Sequence, residues 1–390
     1  MNVTYRIDKD ILYISIEGRI DASNAPVAEE KIFAIKNDNP GKHVVLDADY
    51  LEYISSAGLR VILRLRKEEP KLAIINVSPD VYDVFDMTGF TDMVTVEKAY
   101  QRMSVDGCEF IAKGANGAVY RYDSETIIKT YFAKDSLPEI KQERENARRA
   151  FVLGINTAIP YGIVRVGEGY GTITELLNAV SVTKLIRNNP DDLTEAVKYY
   201  IDMLKSIHAI EVEDGLVLDM KETALEWADF VAPHIPEEQA KKLHSLIEAV
   251  PKRNTLMHGD YHTNNIMVQN GEPLLIDMDT LCMGHPIFEI GSMFNAFVGY
   301  SELDHNNMME FFGYSFDTAN RFWRMSLKAY LGTEDDAVAD SIAEKAMVIG
   351  YTRMLRRAIR RPGDADSPAK IARCKEMLAI LLNKVDSLIF

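Results

Sequence analysis

One segment in the second half of the chain combines side chains that could move a phosphoryl group. Asp260 follows a His-Gly pair, Asn265 comes five residues later, and Asp277 follows the apolar run 274–276. Phosphoryl transfer needs a group that orients the attacking hydroxyl, oxygen ligands for Mg²⁺ and a cation near the nucleotide phosphates. Two carboxylates and an amide suit a hard cation better than zinc. Polar loop residues that cap strands are the alternative, but the joint spacing favours chemistry.

A glycine-bearing loop and a strand lysine lie upstream of this segment. Gly114, Asn116 and Gly117 fall between two predicted strands, where glycines let backbone N–H groups approach a phosphate. Two glycines in a hairpin are, by themselves, typical of a plain turn. Lys129 ends an apolar strand, which is the position of the strand-three lysine of kinases. An exposed strand lysine is the simpler interpretation of that residue taken alone.

These residues need a sheet and helices to bring them together. From about residue 107, the hydrophobic pattern predicts five strands, at 109–113, 118–122, 126–131, 162–166 and 171–175. One helix, at 138–153, is predicted between the third and fourth of these strands. Ser136 and Glu139 form a capping-box pattern at the start of that helix. From residue 183 onward the pattern is mostly helical, with short strands at 266–268 and 274–276.

The first hundred residues predict a separate α/β unit. Apolar and polar residues alternate over 3–7 and 11–16, which indicates a hairpin. Helices and strands then alternate, with a helix at 21–35, a strand at 43–46, a helix near 59–63, a strand at 72–77, a helix from 78 to 89 and a strand at 93–96. This order indicates an open sheet with helices on one side.

Composition and charge exclude several classes of protein. The chain has 390 residues, 47% of them apolar, and a net charge of -15, which argues against binding to nucleic acid. Its three cysteines are far apart in the sequence, so neither a disulfide framework nor a zinc site is indicated. The first residues do not resemble a signal peptide, and no uncharged apolar run reaches the roughly 18 residues that span a bilayer. We expect a cytoplasmic protein with no membrane partner.

The segment around Asp260 resembles the aminoglycoside phosphotransferase/choline kinase family. That family has His-Gly-Asp-x-His-x-x-Asn followed by Ile-Asp, and the match is complete here, with His262 at the second histidine. The resemblance implies that Asp260 is the catalytic base and that Asn265 and Asp277 bind Mg²⁺. One position departs from the family, because His285 stands in a Gly-His-Pro run where Gly-Asp-Pro is usual.

The same resemblance implies an ATP site in a bilobal, protein-kinase-like fold. Gly114, Asn116 and Gly117 would lie near the phosphates, and Lys129 would hold them. Glu143 would fix that lysine, with Glu145 as the second choice. Glu175 and Leu177 would offer backbone groups to the adenine at the hinge between the lobes. His208 matches a histidine on a helix before the catalytic segment, and a structural role is favoured for it.

The first unit resembles the STAS domain of anti-sigma-factor antagonists. A Gly-x-x-Asp segment ends at Asp21, and the predicted order of strands and helices agrees with that domain. The resemblance makes Ser56, at the start of a predicted helix, a regulated phosphoserine. Ser55 replaces the aspartate often found before that serine. A helix N-terminus favours a phosphate, but it also needs a capping side chain, so Ser56 as a plain N-cap stays an equal alternative.

Together these patterns predict a STAS-like domain (1–102), a kinase-like N-lobe (103–178) and a helical C-lobe (179–390). We expect an ATP- and Mg²⁺-dependent phosphotransferase that acts on a hydroxyl of a small molecule, with a STAS module that regulates it or binds a protein partner. One alternative is a signalling protein whose kinase-like domain phosphorylates protein serine, for which Ser56 is a candidate. Another is a scaffold that only binds nucleotide.

Overall fold

The computed structural model describes residues 1–114, 116–133, 137–364 and 366–390. The chain divides into two units, Met1–Met103 and Ser104–Phe390. Ala115 of the glycine-bearing loop and Ser136 of the predicted capping box lie outside the described residues. Within the described ranges, no helix is long and apolar enough to cross a membrane.

The first unit is built on a five-stranded sheet. Its elements are β1 Asn2–Asp8, β2 Ile11–Ile20, α1 Ala25–Asn37, β3 His43–Ile54, α2 Ser56–Glu68, β4 Ala73–Val77, α3 Pro79–Met87, β5 Thr95–Lys98 and β6 Gln101–Met103. The strand order is β1-β2-β3-β4-β5, with β1 antiparallel to β2 and the other pairs parallel. The α/β order predicted from the sequence is confirmed up to β5.

One face of this sheet carries the core of the first unit. Leu12, Ile14 and Ile16 alternate along β2 with less buried residues, so a single face of the strand is covered. Helix α1 begins later than predicted. The Asp21 carboxylate accepts the backbone N–H of Ser23 at 2.9 Å, which holds the chain in a turn before the helix.

The second unit begins with an antiparallel sheet. Its elements are β7 Glu109–Lys113, β8 Gly117–Arg121, β9 Thr126–Tyr131, α4 Leu137–Val152, β10 Pro160–Val166 and β11 Gly169–Glu175. Strands follow one another in the order β10-β11-β9-β8-β7. Each predicted strand and the helix lie within two residues of their predicted bounds. Strand β9 therefore sits in the middle of the sheet, which fixes the strand that carries Lys129.

The remainder of the second unit is mostly helical, as predicted. Its elements are β12 Val180–Ser181, α5 Val182–Asn188, α6 Thr194–His208, β13 Leu218–Asp219, α7 Met220–Val231, α8 Glu237–Glu248, β14 Leu256–Met257, β15 Ile266–Gln269, β16 Glu272–Leu275, β17 Cys282–Met283, α9 Ile287–Phe297, α10 Asn306–Phe311, α11 Phe316–Leu331, α12 Asp336–Arg360 and α13 Ser367–Lys384. Short 3-10 turns at Thr263–Asn265 and Met278–Thr280 precede β15 and β17, respectively. Helix α9 is buried almost all round and packs against α12, so it forms the centre of this unit.

Candidate active site

An ion pair joins the central strand of the second unit to helix α4. The Nζ atom of Lys129 on β9 lies 2.7 Å from Oε1 of Glu143 and 3.7 Å from Oδ1 of Asp277. The hydroxyl of Tyr131 donates to Oε2 of Glu143 at 2.8 Å. Glu145, the second choice for this pair, instead bonds arginines on its own helix. The sheet, α4 and the segment after β16 therefore converge on one lysine.

Burial and neighbouring carboxylates shape the electrostatics of this cluster. Burial opposes the charge of Lys129, but Asp277 and Glu143 together raise its pKa, so it stays a cation. Burial, with the Asp277 and Glu143 carboxylates, raises the pKa of Asp279 to about 6. Asp279 was not among the residues predicted from the sequence. One cation thus faces three carboxylates, which leaves the cluster rich in negative charge.

The glycine-bearing loop is held by its own backbone. The N–H of Gly114 donates to the carbonyl of Gly117 at 2.9 Å, and the N–H of Phe132 donates to the carbonyl of Asn116 at 3.0 Å. A Cβ on residue 117 would lie 2.0 Å from the carbonyl oxygen of Thr130 on β9. The pairing of β8 with β9 therefore requires glycine at this position, whatever else the loop contacts.

The His-Gly pair before Asp260 connects two loops. The Nδ1 atom of His258 accepts the backbone N–H of Asp260 at 3.3 Å, so Nε2 carries the proton and donates to the carbonyl of Ile276 at 3.1 Å. Gly259 has φ +82°, and a Cβ there would lie 2.4 Å from the carbonyl oxygen of Thr280. These contacts hold the loop that carries Asp260 against the segment that carries Asp277.

Asn265 and Asp277 are aligned by the backbone between them. The side-chain amide of Asn265 donates to the carbonyl of Asp260 at 3.1 Å, and the N–H of Ile276 donates to the carbonyl of Asn265 at 2.9 Å. Asp277 follows with φ 65°, a left-handed conformation that aspartate tolerates better than most residues. The structure thus links Asp260, Asn265 and Asp277 through the backbone, and Asp277 in turn reaches Lys129.

His262 packs beside the Asp260 carboxylate. Its Nε2 atom lies 3.6 Å from Oδ2 of Asp260, and the rings of Phe311 and Phe312 meet it edge-on at 5.5 and 5.8 Å. Burial lowers the pKa of His262, although Asp260 opposes this. Its Nδ1 atom has no hydrogen-bond partner among the described residues. His262 is therefore a buried, neutral wall beside Asp260.

A buried glutamate that sequence reasoning missed supports the same loop. Glu289 on α9 is 1% exposed and accepts the N–H groups of His258 at 2.6 Å and Gly259 at 3.0 Å. Burial raises the pKa of Glu289. The carbonyl of Gly259 accepts from Ser292 at 3.1 Å and from Nη1 of Arg353 at 3.0 Å. A lone charge inside the apolar run 287–297 was the signal that could have identified Glu289.

Two other histidines have structural contacts. His208 bonds the hydroxyl of Tyr330 at 2.7 Å through Nδ1, and burial lowers its pKa to about 3. His285, where the resembled family has aspartate, accepts the N–H of Ile287 at 3.1 Å through Nδ1. Burial lowers the pKa of His285 to about 4, so the neutral ring can accept this bond. His285 therefore accepts the first N–H of α9 from a position just before the helix, as a carboxylate could.

The predicted hinge includes the end of β11, at Glu175, and the irregular segment after it. The N–H of Glu175 donates to the carbonyl of Ile159 at 3.0 Å, and its carboxylate accepts the N–H of Ile159 at 3.2 Å. The N–H of Leu176 donates to the carbonyl of Glu125 at 2.7 Å. Leu177 lies in the irregular segment that follows. The N–H groups of Glu175 and Leu176 are thus already engaged.

A cavity of about 470 Å³ opens beside Asp260 and His262. Its volume falls within the range of roughly 300–1,000 Å³ that is typical of small-molecule sites. Helices α9, α10 and α12 supply most of its wall. The predicted catalytic carboxylate therefore faces a space that could hold an acceptor.

The start of α2 in the first unit differs from the N-cap interpretation of Ser56. Ser55 is the N-cap, since its hydroxyl accepts the N–H of Gly58 at 3.4 Å. Ser56 is the first residue of the helix and is exposed. The plain N-cap alternative for Ser56 is wrong because the neighbouring serine takes that position. An exposed hydroxyl at the positive end of the helix dipole is left.

Two family models together match almost the whole chain up to residue 319. Residues 107–319 match the phosphotransferase enzyme family, and residues 2–103 match the STAS domain. A proposed anti-sigma factor antagonist of Bordetella bronchiseptica, BtrV, is 36% identical over 90 residues, which cover 22% of this chain and 77% of that protein. This relative and the STAS match agree on the nature of the first unit.

The solved structures that resemble this chain share little sequence identity with it. The aminoglycoside phosphotransferase APH(2'')-Ib, in its ADP-bound form, is 16% identical and has a TM-score of 0.49, with 70% of this chain and 93% of that chain covered. A choline/ethanolamine kinase family protein from Mesorhizobium loti is 12% identical, with a TM-score of 0.47 and coverage of 71% and 91%.

Proposed function

Because the chain belongs to the phosphotransferase enzyme family and carries a STAS domain, we propose that it is an ATP-dependent kinase that phosphorylates a hydroxyl of a small molecule. The observation that supports this most strongly is the Lys129–Glu143 ion pair, which lies in the same unit as Asp277 and a cavity that opens onto Asp260. We assign residues 1–102 to the STAS-like domain, 103–178 to the nucleotide-binding lobe and 179–390 to the helical lobe.

The proposed roles follow from the contacts. Asp260 accepts a hydrogen bond from the attacking hydroxyl, orients its oxygen in line with the γ-phosphorus of ATP and takes up the proton. Lys129, held by Glu143, places its charge on the phosphates. The loop with Gly114, Asn116 and Gly117 covers the phosphates. The adenine meets the chain near Glu175 and Leu177, where the carbonyl of Glu175 is the group that suits it, since the N–H of that residue is engaged.

The oxygen ligands near Asp260 fit Mg²⁺. Asn265 uses its amide N–H groups on the backbone, so its Oδ1 atom is available, and the Asp277 carboxylate is partly exposed. No group of three or more His, Cys, Asp or Glu forms a metal cluster in the described part of the chain. Mg²⁺ in phosphotransferases needs only one or two carboxylates because phosphate oxygens and water complete its shell. When bound, the ion neutralises charge that develops on the transferred group.

The experiment follows the labelled γ-phosphoryl group of ATP into its product. The purified chain is incubated with Mg²⁺, labelled ATP and a panel of hydroxyl-bearing metabolites. We expect label in a small-molecule phosphomonoester, and we expect Asp260→Asn to lose it. Label that appears on the protein, and that Ser56→Ala removes, would favour the protein-serine alternative instead.

The STAS domain favours a second role, in protein binding. The likeness to anti-sigma-factor antagonists and the exposed hydroxyl of Ser56 support a partner whose docking depends on phosphorylation at Ser56. A phosphate there adds about 1.5 to 2 negative charges at the helix start. Ser56→Asp and Ser56→Ala should then differ in their capture of the partner. Equal capture by both variants would reject this role.

A further inference from the structure

One wall of the cavity beside Asp260 is basic. Arg353, Arg357 and Arg361 follow one another at intervals of four residues along α12 and its end, so they share one side of the helix. All three line the cavity. They come from the part of the chain that carries no motif. Their concentration is unusual in a chain with a net charge of -15.

The charge of these arginines is not neutralised by the protein. None of the three forms an ion pair with a carboxylate in the described residues. The guanidinium of Arg357 stacks over the ring of Tyr300 at 5.3 Å. Arg353 donates to the Gly259 carbonyl and the Ser292 hydroxyl and lies 5.6 Å from the centre of the Trp227 ring. Arg324 on α11, by contrast, binds two aspartates, each at 3.0 Å. The cavity wall therefore carries positive charge that is available to a bound ligand.

Apart from Asp260, which is assigned to the hydroxyl, two acidic residues line the wall, against three arginines and Lys370, which pairs with Asp366. The two are Glu310 and Asp364, and neither forms an ion pair in the described residues. A cationic acceptor would need a carboxylate-rich wall opposite Asp260. Arginine side chains instead bind carboxylate and phosphate groups with two parallel hydrogen bonds. The balance of charges favours an anion.

A buried amide in the same wall also lacks a partner. Asn295 on α9 is 1% exposed and lines the cavity, and neither its Oδ1 nor its Nδ2 atom has a hydrogen-bond partner among the described residues. Buried side-chain amides are nearly always hydrogen-bonded. The unpartnered amide is independent of the arginines, and it too indicates that the cavity holds a polar ligand.

We infer that the acceptor is a small hydroxyl compound that bears a carboxylate or phosphate group, which Arg357 and Arg361 bind while its hydroxyl reaches Asp260. This inference rests on the proposed function. The hydroxyl oxygen forms a bond to the γ-phosphorus, the bond from that phosphorus to the bridging oxygen breaks, and ADP leaves. The proton of the hydroxyl passes to Asp260 and then to water. The products are ADP and a phosphomonoester that carries the original anion.

Matched compounds separate charge from shape in the test. Glucose, glucosamine, gluconate and glucose 6-phosphate share a carbon skeleton but are neutral, cationic, carboxylate-bearing and phosphate-bearing, and glycerol, glycerate and glycerol 3-phosphate form a second set. Each is titrated calorimetrically into the full chain saturated with Mg²⁺ and ADP. We expect one or more of the anionic compounds to bind at least about tenfold more tightly than the neutral counterpart. Whether the carboxylate or the phosphate compound binds then identifies the anionic group of the acceptor.

The variants test the arginines directly. Arg357→Gln together with Arg361→Gln should weaken binding of that anion by about tenfold or more. Arg360→Gln is the matched control, because Arg360 is an exposed arginine of the same helix that does not line the cavity. It should leave the dissociation constant unchanged. Thermal unfolding of all three proteins checks that the fold is kept.

Three results would overturn the inference. They are preferential binding of glucosamine, failure of every anionic compound to bind better than its neutral counterpart, and equal affinities of the double variant and the Arg360→Gln control. The proposed function is tested separately by titrating Mg²⁺-ADP into nucleotide-free samples of the same proteins. Absence of Mg²⁺-ADP binding to the wild-type chain would reject the proposed function, whereas a negative result in the anion titrations would reject only the acceptor assignment.

Discussion

Lys129 and the arginines of α12 are cations in the same unit, but their neighbours differ. Lys129 contacts Glu143 at 2.7 Å and Asp277 at 3.7 Å, and these carboxylates keep it charged despite burial. Arg357 and Arg361 have no carboxylate partner in the described residues. Under the proposed function, the nucleotide side, around Lys129, is held by protein contacts, whereas the acceptor side, around Arg357 and Arg361, carries charge that no carboxylate of the described residues pairs.

Substitution of the residue between the two sides should have the largest effect. Asp260→Asn keeps the shape and hydrogen bonds but cannot take a proton, so we expect kcat to fall by about 10²- to 10⁴-fold. Nucleotide affinity should hold, because Asp260 makes no contact with Lys129. The measurement is acceptor-dependent ADP release alongside fluorescent-nucleotide titration. Undiminished turnover would remove Asp260 from the chemistry.

The nucleotide side is tested next at its metal ligand. Asp277→Ala removes a carboxylate that faces both the proposed Mg²⁺ position and Lys129. We expect the affinity for Mg²⁺-ATP to fall by about tenfold or more, with a smaller effect on ATP measured in EDTA. Anion binding at the arginines should not change. Equal losses with and without Mg²⁺ would show that Asp277 does not act through the metal.

The stability of the second unit should be sensitive to acid, because it contains the buried His208. The pKa of His208 is about 3 in the folded chain and 6.5 ordinarily, so the unfolded state binds the proton more tightly, and stability is lost as pH falls below 6.5. The Glu289 carboxylate lies 4.0 Å from Nε2 of His208 and offsets part of this loss, so the cost at pH 5 is at most about 2 kcal/mol.

The comparison for this residue is His208→Asn, which can keep the bond to Tyr330. Its unfolding free energy should fall less between pH 7.5 and pH 5 than that of the wild type. Because both tryptophans, Trp227 and Trp323, lie in the second unit, their fluorescence reports its unfolding. Parallel losses in the two proteins would exclude His208 as the acid-sensitive group.

The smallest effect is expected from two glutamates that differ only in position on α4. Glu143→Gln removes the charge that holds Lys129, and we expect kcat/KM to fall by about tenfold, in line with a hydrogen bond between charged groups. Glu145→Gln is the control, since Glu145 pairs with the exposed Arg148 and with Arg149 on its own helix. Similar values for the two variants would mean that the ion pair contributes nothing to the nucleotide side.

Local patterns predicted much of the fold, and the family resemblance implied the residues that we assign to the nucleotide side. Strand limits such as 109–113 and 126–131 follow from alternation of apolar residues, and the choice of Glu143 over Glu145 agrees with the contact to Lys129. The N-cap of α2 was harder to predict from the sequence. Two adjacent serines, Ser55 and Ser56, could each cap the free N–H groups, and a shift of one residue in the start of the helix determines which of them does.

The acceptor side and the supports of the catalytic loop were not predictable in the same way. Glu289 reaches back across 31 residues to His258, and Arg353 reaches Gly259 across 94. Such contacts depend on how α9 and α12 pack, which no local pattern contains. The four-residue spacing of the α12 arginines is visible in the sequence, but on a helix it is equally typical of an exposed face.

The measurement that tests the central claim most directly is the fate of the label in a single turnover. The full chain is mixed with Mg²⁺, labelled ATP and the matched acceptor panel, and the products are separated from the protein. The account predicts label in an anionic small-molecule phosphomonoester, absent with Asp260→Asn and reduced with the Arg357→Gln, Arg361→Gln pair but not with Arg360→Gln. Label found on the protein, and lost with Ser56→Ala, would contradict it.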